Sequence, residues 1–275
     1  LRRVAEVRSK VEFAYASRED ICAISKQVVS FAPDGVFHLA WSGGNIRKYV
    51  NDPAQVKNVA GSLDLVALAA EAGAKAFVFF GSSVEYGRYR VPVSESDPAE
   101  PKNLYGVAKL ATMQLTEALC GVLEMRFCGV RPFWTYGPQD DGLRMVPSLI
   151  EQLLDGKRPA LTKGEQLWDF LYIDDATDAL VRLAEREDAS GIFNLASGAP
   201  IPLRSVIERI RDLIDPDLEL GLGDVPYASD QIMHLQASIE RLKAATGWEP
   251  QVGIEEGLRK TVAWHKAQRL LHPSI

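Results

Sequence analysis

The chain has 275 residues, 47% hydrophobic and 25% charged, with a formal net charge of -6. That mix supplies a sizeable apolar core and excludes a disordered, collagenous or coiled-coil chain. With 31 basic against 37 acidic side chains there is no global positive field, so a small-molecule partner is expected, and neither a nucleic acid nor a membrane.

Short apolar runs alternate with amphipathic stretches through the first half, the pattern of a parallel sheet with crossover helices, so the fold class is α/β. Strands are expected over residues 11–16, 35–40, 76–82 and 125–131. Between them, apolar residues at three- and four-residue spacing predict helices over 19–30, 53–72 and 104–121. After Tyr136-Gly137-Pro138 the regularity breaks into helical patches at 145–155, 174–186 and 202–213, separated by Pro- and Gly-bearing connections. Residues 192–196 read as a late strand rejoining the sheet, and 237–268 as two helices split by Gly247-Trp248-Glu249-Pro250. Two lobes are expected: residues 1–142 with 170–198, and a smaller one of 143–169 with 199–275. Ligands in such architectures sit at the carboxyl ends of the strands, where the lobes meet.

Cys22, Cys120 and Cys128 are too few and too scattered for a disulfide framework, and no Cys/His spacing suggests a metal site. No apolar run approaches the roughly 18 residues of a membrane helix, and the opening Leu-Arg-Arg-Val-Ala-Glu lacks the apolar core of a signal peptide. A cytoplasmic location is expected.

The most informative constellation is Tyr105-Gly-Val-Ala-Lys109 in a predicted helix, preceded by Ser82-Ser83 at the end of an apolar strand. Residues four apart share a helix face, so the Lys109 ammonium can approach the Tyr105 ring and lower the cost of its phenolate. Such a phenol can exchange a proton with an alcohol or ketone near neutral pH, and a Ser hydroxyl can bond the same oxygen. Alone, Tyr-x-x-x-Lys also describes a surface tyrosine beside a lysine.

Six segments in order supply the context. They are Val36-Phe-His-Leu-Ala40, Asn58-Val-Ala-Gly-Ser62, Phe77-Val-Phe-Phe-Gly-Ser-Ser-Val-Glu-Tyr-Gly87, Tyr105 to Lys109, Arg131-Pro-Phe-Trp-Thr-Tyr-Gly-Pro138 and Trp168-Asp-Phe-Leu-Tyr-Ile-Asp-Asp175. Through them the chain resembles the extended short-chain dehydrogenase/reductase family, particularly its nucleotide-sugar epimerases, dehydratases and 4-ketoreductases. The resemblance implies a Rossmann-like doubly wound sheet with a smaller C-terminal substrate lobe, NAD or NADP as cofactor, a nucleotide-sugar substrate and a homodimer. It implies Tyr105 as the catalytic acid/base, Lys109 as the residue that holds the nicotinamide ribose, and Ser82 as the hydroxyl that polarises the substrate, with Ser83 the near alternative. His38, Leu39, Ala40, Asn58 and Pro132 would border the cofactor, together with Tyr105 and Lys109. Ser83, Tyr86, Trp134 and Trp168 would meet the substrate. His38 also reads as a bonded core histidine, and Asn58 as a polar turn or helix group.

Departures from the family pattern shape the expectation. The Gly-x-x-Gly-x-x-Gly fingerprint is absent, and Trp41-Ser-Gly43-Gly44-Asn45 follows the wrong strand. Only about ten residues precede the first matching strand, so the first β-α-β unit is expected to be missing from a longer protein. Ser83 and Val84 replace the dehydratases' acidic pair, which disfavours a 4,6-dehydratase. Tyr15 stands where an Asp meets adenine, Trp134 replaces an Asn, and Trp168 replaces an Arg facing the diphosphate. Tyr227-Ala-Ser-Asp230 offers no second Arg, which leaves Lys163, Arg144 and Arg204 as substitute cations or as plain solvated surface. The expected function is an NAD(P)-dependent oxidoreductase or epimerase acting at C4 of a nucleotide sugar. The alternative is a non-catalytic relative that keeps the fold as a binding or scaffold module.

Overall fold

The computed structural model describes residues 7, 9–43, 49–87, 91–140, 143–229 and 231–271. Gly44, Asn45 and Asp230 lie outside them. The chain forms two compact units. One holds the described residues of Leu1–Arg88, Asp97–Arg131 and Leu180–Phe193, the other those of Tyr89–Ser96, Pro132–Ala179 and Asn194–Ile275.

In the first unit, helix α1 (Ser25–Phe31) follows a 3-10 helix at Arg18–Ile24 and leads into strand β1 (Gly35–His38). A 3-10 turn at Pro53–Val56 opens helix α2 (Lys57–Glu71), then come strand β2 (Ala76–Phe80), helix α3 (Leu104–Val122) and strand β3 (Arg126–Pro132). β2 runs parallel to both β1 and β3, with Phe77 opposite Val36 on one side and opposite Phe127 on the other. A central strand buried on both faces needs an unbroken apolar run, which Ala-Phe-Val-Phe-Phe provides. Phe77 and Phe79 are fully buried against Val66, Ala69, Met113 and Phe127, each contributing on the order of 2 kcal/mol of hydrophobic stabilisation.

The expected strand at 11–16 is not one. Those residues carry no regular secondary structure, join no ladder among the described residues and are largely exposed, with Phe13 stacked on Tyr15. An alternating sequence is half of a strand, and a hydrogen-bonded neighbour is the other half. The strand expected over 76–82 ends at Phe80, with one further bond from the Gly81 N–H to the Val130 carbonyl, because the chain then turns into a 3-10 helix at Ser83–Tyr86.

In the second unit, strand β4 (Trp134–Tyr136) precedes helix α4 (Met145–Leu154) and the short strands β5 (Ala160–Leu161), β6 (Leu167–Trp168) and β7 (Phe170–Tyr172). Helix α5 (Ile173–Glu185) begins in this unit, and the chain from Leu180 to Phe193 belongs to the first, where strand β8 (Gly191–Leu195) is the fourth strand of the main sheet, whose order is β1-β2-β3-β8. Strand β9 (Ile201–Pro202), helix α6 (Leu203–Ile214), strands β10 (Gly221–Leu222) and β11 (His234–Leu235), and helices α7 (Glu240–Thr246) and α8 (Ile254–Leu271) complete the chain. α6 buries Leu203, Val206, Ile207 and Ile210, one stripe at helical spacing, against Leu149, Ile150, Leu258 and Val262. No helix among the described residues is long and apolar enough to cross a membrane.

Candidate active site

Asn103 starts α3 by accepting the Gly106 N–H at 2.8 Å. The helix then buries Tyr105, Ala108, Lys109, Thr112, Met113, Thr116 and Cys120, a single stripe in which a phenol and an ammonium occupy positions that periodicity reserves for apolar side chains. Lys109 Nζ donates to the Phe80 carbonyl at the end of β2 at 2.6 Å, and lies 4.0 Å from the centroid of the Trp41 ring and 5.1 Å from that of Phe79. Tyr105 meets the same Trp41 ring edge-on, with centroids 6.2 Å apart. The two side chains therefore share one environment. Burial draws the Lys109 pKa down to about 7, against the opposing pull of the Glu85 carboxylate.

Beyond Gly81 the chain turns through a 3-10 helix at Ser83–Tyr86. Ser82 caps it: its Oγ accepts the Val84 N–H at 3.3 Å, and its own N–H donates to Glu85 Oε1 at 2.8 Å. Among the described residues no acceptor takes the Ser82 hydroxyl hydrogen. Ser83 and Tyr86 are buried on the same turn, with the Arg131 guanidinium 4.4 Å above the Tyr86 ring. Gly106 lets α3 approach this turn, since a Cβ there would stand 2.9 Å from Pro101 Cβ and 3.1 Å from Val84 Cγ1.

His38 Nε2 lies 2.8 Å from Ser62 Oγ, and that hydroxyl donates to the Asn58 carbonyl at 2.7 Å, so the His38 nitrogen is the donor. Burial, with a smaller contribution from the Lys109 charge, lowers its pKa to about 4, and the ring is neutral. Asn58 brackets Ser42, accepting its N–H at 3.0 Å and donating to its carbonyl at 3.2 Å. Beside it Gln55 accepts the Trp41 indole N–H at 2.7 Å. Together they pin the loop after β1, where Leu39 and Ala40 are exposed.

Pro132, Trp134 and Trp168 belong to the second unit. There Trp134 and Trp168 stack at 4.5 Å between centroids, and the Trp168 indole N–H donates to the Ile232 carbonyl at 3.0 Å. The three substitute cations are exposed: Arg204 is bonded to Glu208 at 2.7 Å, Arg144 lies 3.8 Å from Asp140, and Lys163 shares with Arg204 the lining of a cavity of about 290 Å³.

Sequence reading missed Trp41, Gln55, Glu85, Arg131 and Asp169. Glu85 carried the one available signal, a carboxylate inside an otherwise uncharged run. Cys120 and Cys128 are free thiols, and burial pushes the Cys120 pKa up to about 12. Among the described residues no three His, Cys, Asp or Glu side chains converge as a metal site.

A buried ammonium with N–H donors to spare, a phenol beside it and a serine O–H without an acceptor suit neutral hydroxyl groups and a carbonyl in interconversion with an alcohol. They fit the nicotinamide-ribose end of a dinucleotide, which Lys109 and Tyr105 would hold. An α/β sheet bearing this donor set on the helix beside its second strand is that of a short-chain dehydrogenase/reductase of the extended type. The chain belongs to the NAD dependent epimerase/dehydratase family, whose profile matches residues 2–196.

It is 29% identical over 254 residues to the GDP-6-deoxy-D-mannose reductase of Pseudomonas aeruginosa, covering 86% of this chain and 82% of that one. To the UDP-glucose 4-epimerase of Mycolicibacterium smegmatis it is 27% identical, covering 95% and 85%. Among solved structures, the UDP-glucose 4-epimerase of Thermotoga maritima with UDP-glucose superposes with a TM-score of 0.84 at 26% identity, covering 93% of this chain and 84% of that one. The chain is an NAD(P)-dependent enzyme of nucleotide sugars.

Proposed function

We propose that the chain moves a hydride to or from C4 of the hexose of a nucleotide sugar, as a 4-epimerase or a 4-ketoreductase. The observation that carries this reading is the meeting of Tyr105 and Lys109, one helical turn apart and both buried, at the ring of Trp41. In the oxidising direction the Tyr105 oxygen takes the proton of the C4 hydroxyl as hydride leaves the same carbon, and in the reducing direction it returns the proton. Ser82 donates its hydroxyl hydrogen to the substrate oxygen in both directions. Lys109 bonds the ribose hydroxyls and keeps the phenolate stable. The bound nicotinamide supplies the hydride acceptor or donor.

His38, Leu39, Ala40, Asn58 and Pro132 border the cofactor in this reading. Because His38 is neutral and bonded to Ser62, its part is one of shape rather than of charge. In this reading Ser83 and Tyr86 of the first unit meet the sugar nucleotide, and for Trp134 and Trp168 of the second unit the family resemblance alone suggests a substrate contact. The exposed Ala67 and Leu115 on α2 and α3 suit a homodimer seam, and the free thiols suit a reducing, cytoplasmic compartment.

Two assays with the full chain test the reading. Net NADPH oxidation with a nucleotide-linked 4-keto-6-deoxyhexose marks a reductase, and conversion of UDP-glucose to UDP-galactose without net cofactor change marks an epimerase. Fluorescence titration of the complete gene product showing no binding of either NADH or NADPH would instead favour the non-catalytic scaffold. Sedimentation as a clean monomer at micromolar concentration would reject the dimer.

A further inference from the structure

Glu85 and Arg131 form an ion pair inside the first unit, with Nε to Oε2 at 2.9 Å and side chains 0% and 4% exposed. Two charges withdrawn this far from water are costly unless every lone pair and N–H is used. Glu85 uses both oxygens: Oε2 takes Arg131, and Oε1 takes the backbone N–H of Ser82. Arg131 comes from β3, next to Val130, whose carbonyl takes the Gly81 N–H at 2.7 Å. The carbon of its guanidinium lies 4.4 Å from the centroid of the ring of Tyr86, the last residue of the turn. A side chain at Gly81 would collide with Glu85 Oε1 and with Met113, so the strand end leaves room for this carboxylate and little else.

Resting on the catalytic reading of Ser82, we propose that the Glu85–Arg131 pair is a positioning device that clamps the Ser82 backbone and thereby aims its hydroxyl at the reacting oxygen. The Ser82 hydroxyl has no acceptor of its own among the described residues and only a long 3.3 Å contact from Val84, so its direction is inherited from the backbone that Glu85 holds. A charge-assisted bond from carboxylate to amide is short and directional enough for that task.

The decisive variant is Glu85→Leu with Arg131→Met, because replacing a buried pair by packed apolar side chains of similar volume generally preserves stability. Turnover is read by whichever of the two assays above the parent chain satisfies. The double variant is expected to melt within a few degrees of the parent, to lose tenfold or more in kcat, and to keep KM within threefold. In a Ser82→Ala background the same exchange should cost less than twofold more. An unchanged kcat, or equal losses with and without Ser82, overturns the proposal.

Should the double variant fail to fold, Arg131→Lys decides by the same split between kcat and KM. Amide exchange supplies a reading independent of turnover: Ser82 should exchange at least a hundredfold faster in the variant while Val78 in β2 is unaltered, and unchanged Ser82 protection overturns the clamp. If Ser82→Ala is fully active and Tyr105→Phe dead, this inference fails and the catalytic reading survives. If Tyr105→Phe is also fully active, the catalytic reading fails with it.

Discussion

The ammonium of Lys109 sits 4.0 Å from the centroid of the Trp41 ring while donating 2.6 Å to the carbonyl of Phe80. A π face and one carbonyl replace the water that a lysine ordinarily keeps. Cation–π attraction in a desolvated setting is worth about 2 kcal/mol, less than burying an ammonium costs, so the site holds a cation that the fold alone would not choose.

Lys109→Met should therefore stabilise the fold while destroying function. Below pH about 7 the lysine is charged in folded and unfolded chains alike, and the folded state bears the whole burial cost. Between about 7 and the ordinary 10.5 the unfolded chain retains a proton that the folded chain has shed, so parental stability rises with pH across that window. Among the described residues the charged and titratable groups around Lys109 are Glu85, His38 and Tyr105, and of these Glu85 opposes the shift. Urea melts should show the variant about 1–3 kcal/mol more stable at pH 6.5, with a margin that closes toward pH 10. A margin independent of pH would contradict this, and NADH titration should show weakened binding.

Tyr105→Phe removes one oxygen from a buried ring and leaves its edge contact with Trp41 available. Its kcat is expected to fall by about a hundredfold or more, the usual worth of a positioned acid/base, with NADH affinity within threefold of the parent. Steady-state kinetics and fluorescence titration on one preparation separate the two quantities. Retained turnover would remove Tyr105 from the chemistry.

Trp168→Ala strips one ring from the pair stacked at 4.5 Å with Trp134 and removes the indole bond to Ile232. KM for the nucleotide sugar should rise about tenfold, as large aromatic anchors commonly dictate, while cofactor affinity stays put. Calorimetry with the sugar nucleotide is the check. Unaltered affinity would assign these rings to packing alone.

Asp169→Ala tests a structural centre in the second unit. The buried Asp169 carboxylate accepts the N–H and hydroxyl of Ser197 at 2.7 and 2.5 Å, the Gly198 N–H at 3.0 Å and the Ala237 N–H at 3.3 Å. Removing it strips three backbone N–H donors of this acceptor and leaves the Ser197 hydroxyl only the Ala199 carbonyl at 3.4 Å, a loss of about 3–5 kcal/mol. Thermal denaturation should show a clear fall in Tm, and a shift under two degrees would show that water replaces the carboxylate.

The α/β class, the course of α3 and the Tyr105/Lys109 pair are legible in the amino-acid sequence because each depends on spacing within a few residues. Covalent geometry turns a four-residue interval into one helix face wherever the helix ends up. The strand expected at 11–16 illustrates the opposite case, since a ladder partner elsewhere in the chain decides whether an alternating run becomes a strand.

Sequence by itself therefore determined the chemical inventory and the local elements that carry it. Tertiary structure alone decided which of those groups are committed and which are available: His38 is spent on Ser62, Arg204 is tied to Glu208, and the Ser82 hydroxyl keeps a hydrogen to give. Glu85 and Arg131 are 46 residues apart and meet because β2 and β3 pair with Phe80 opposite Val130. Residue spacing fixes contacts along a helix, whereas contacts between distant segments are fixed by sheet register and packing, and these exist only once the chain has folded.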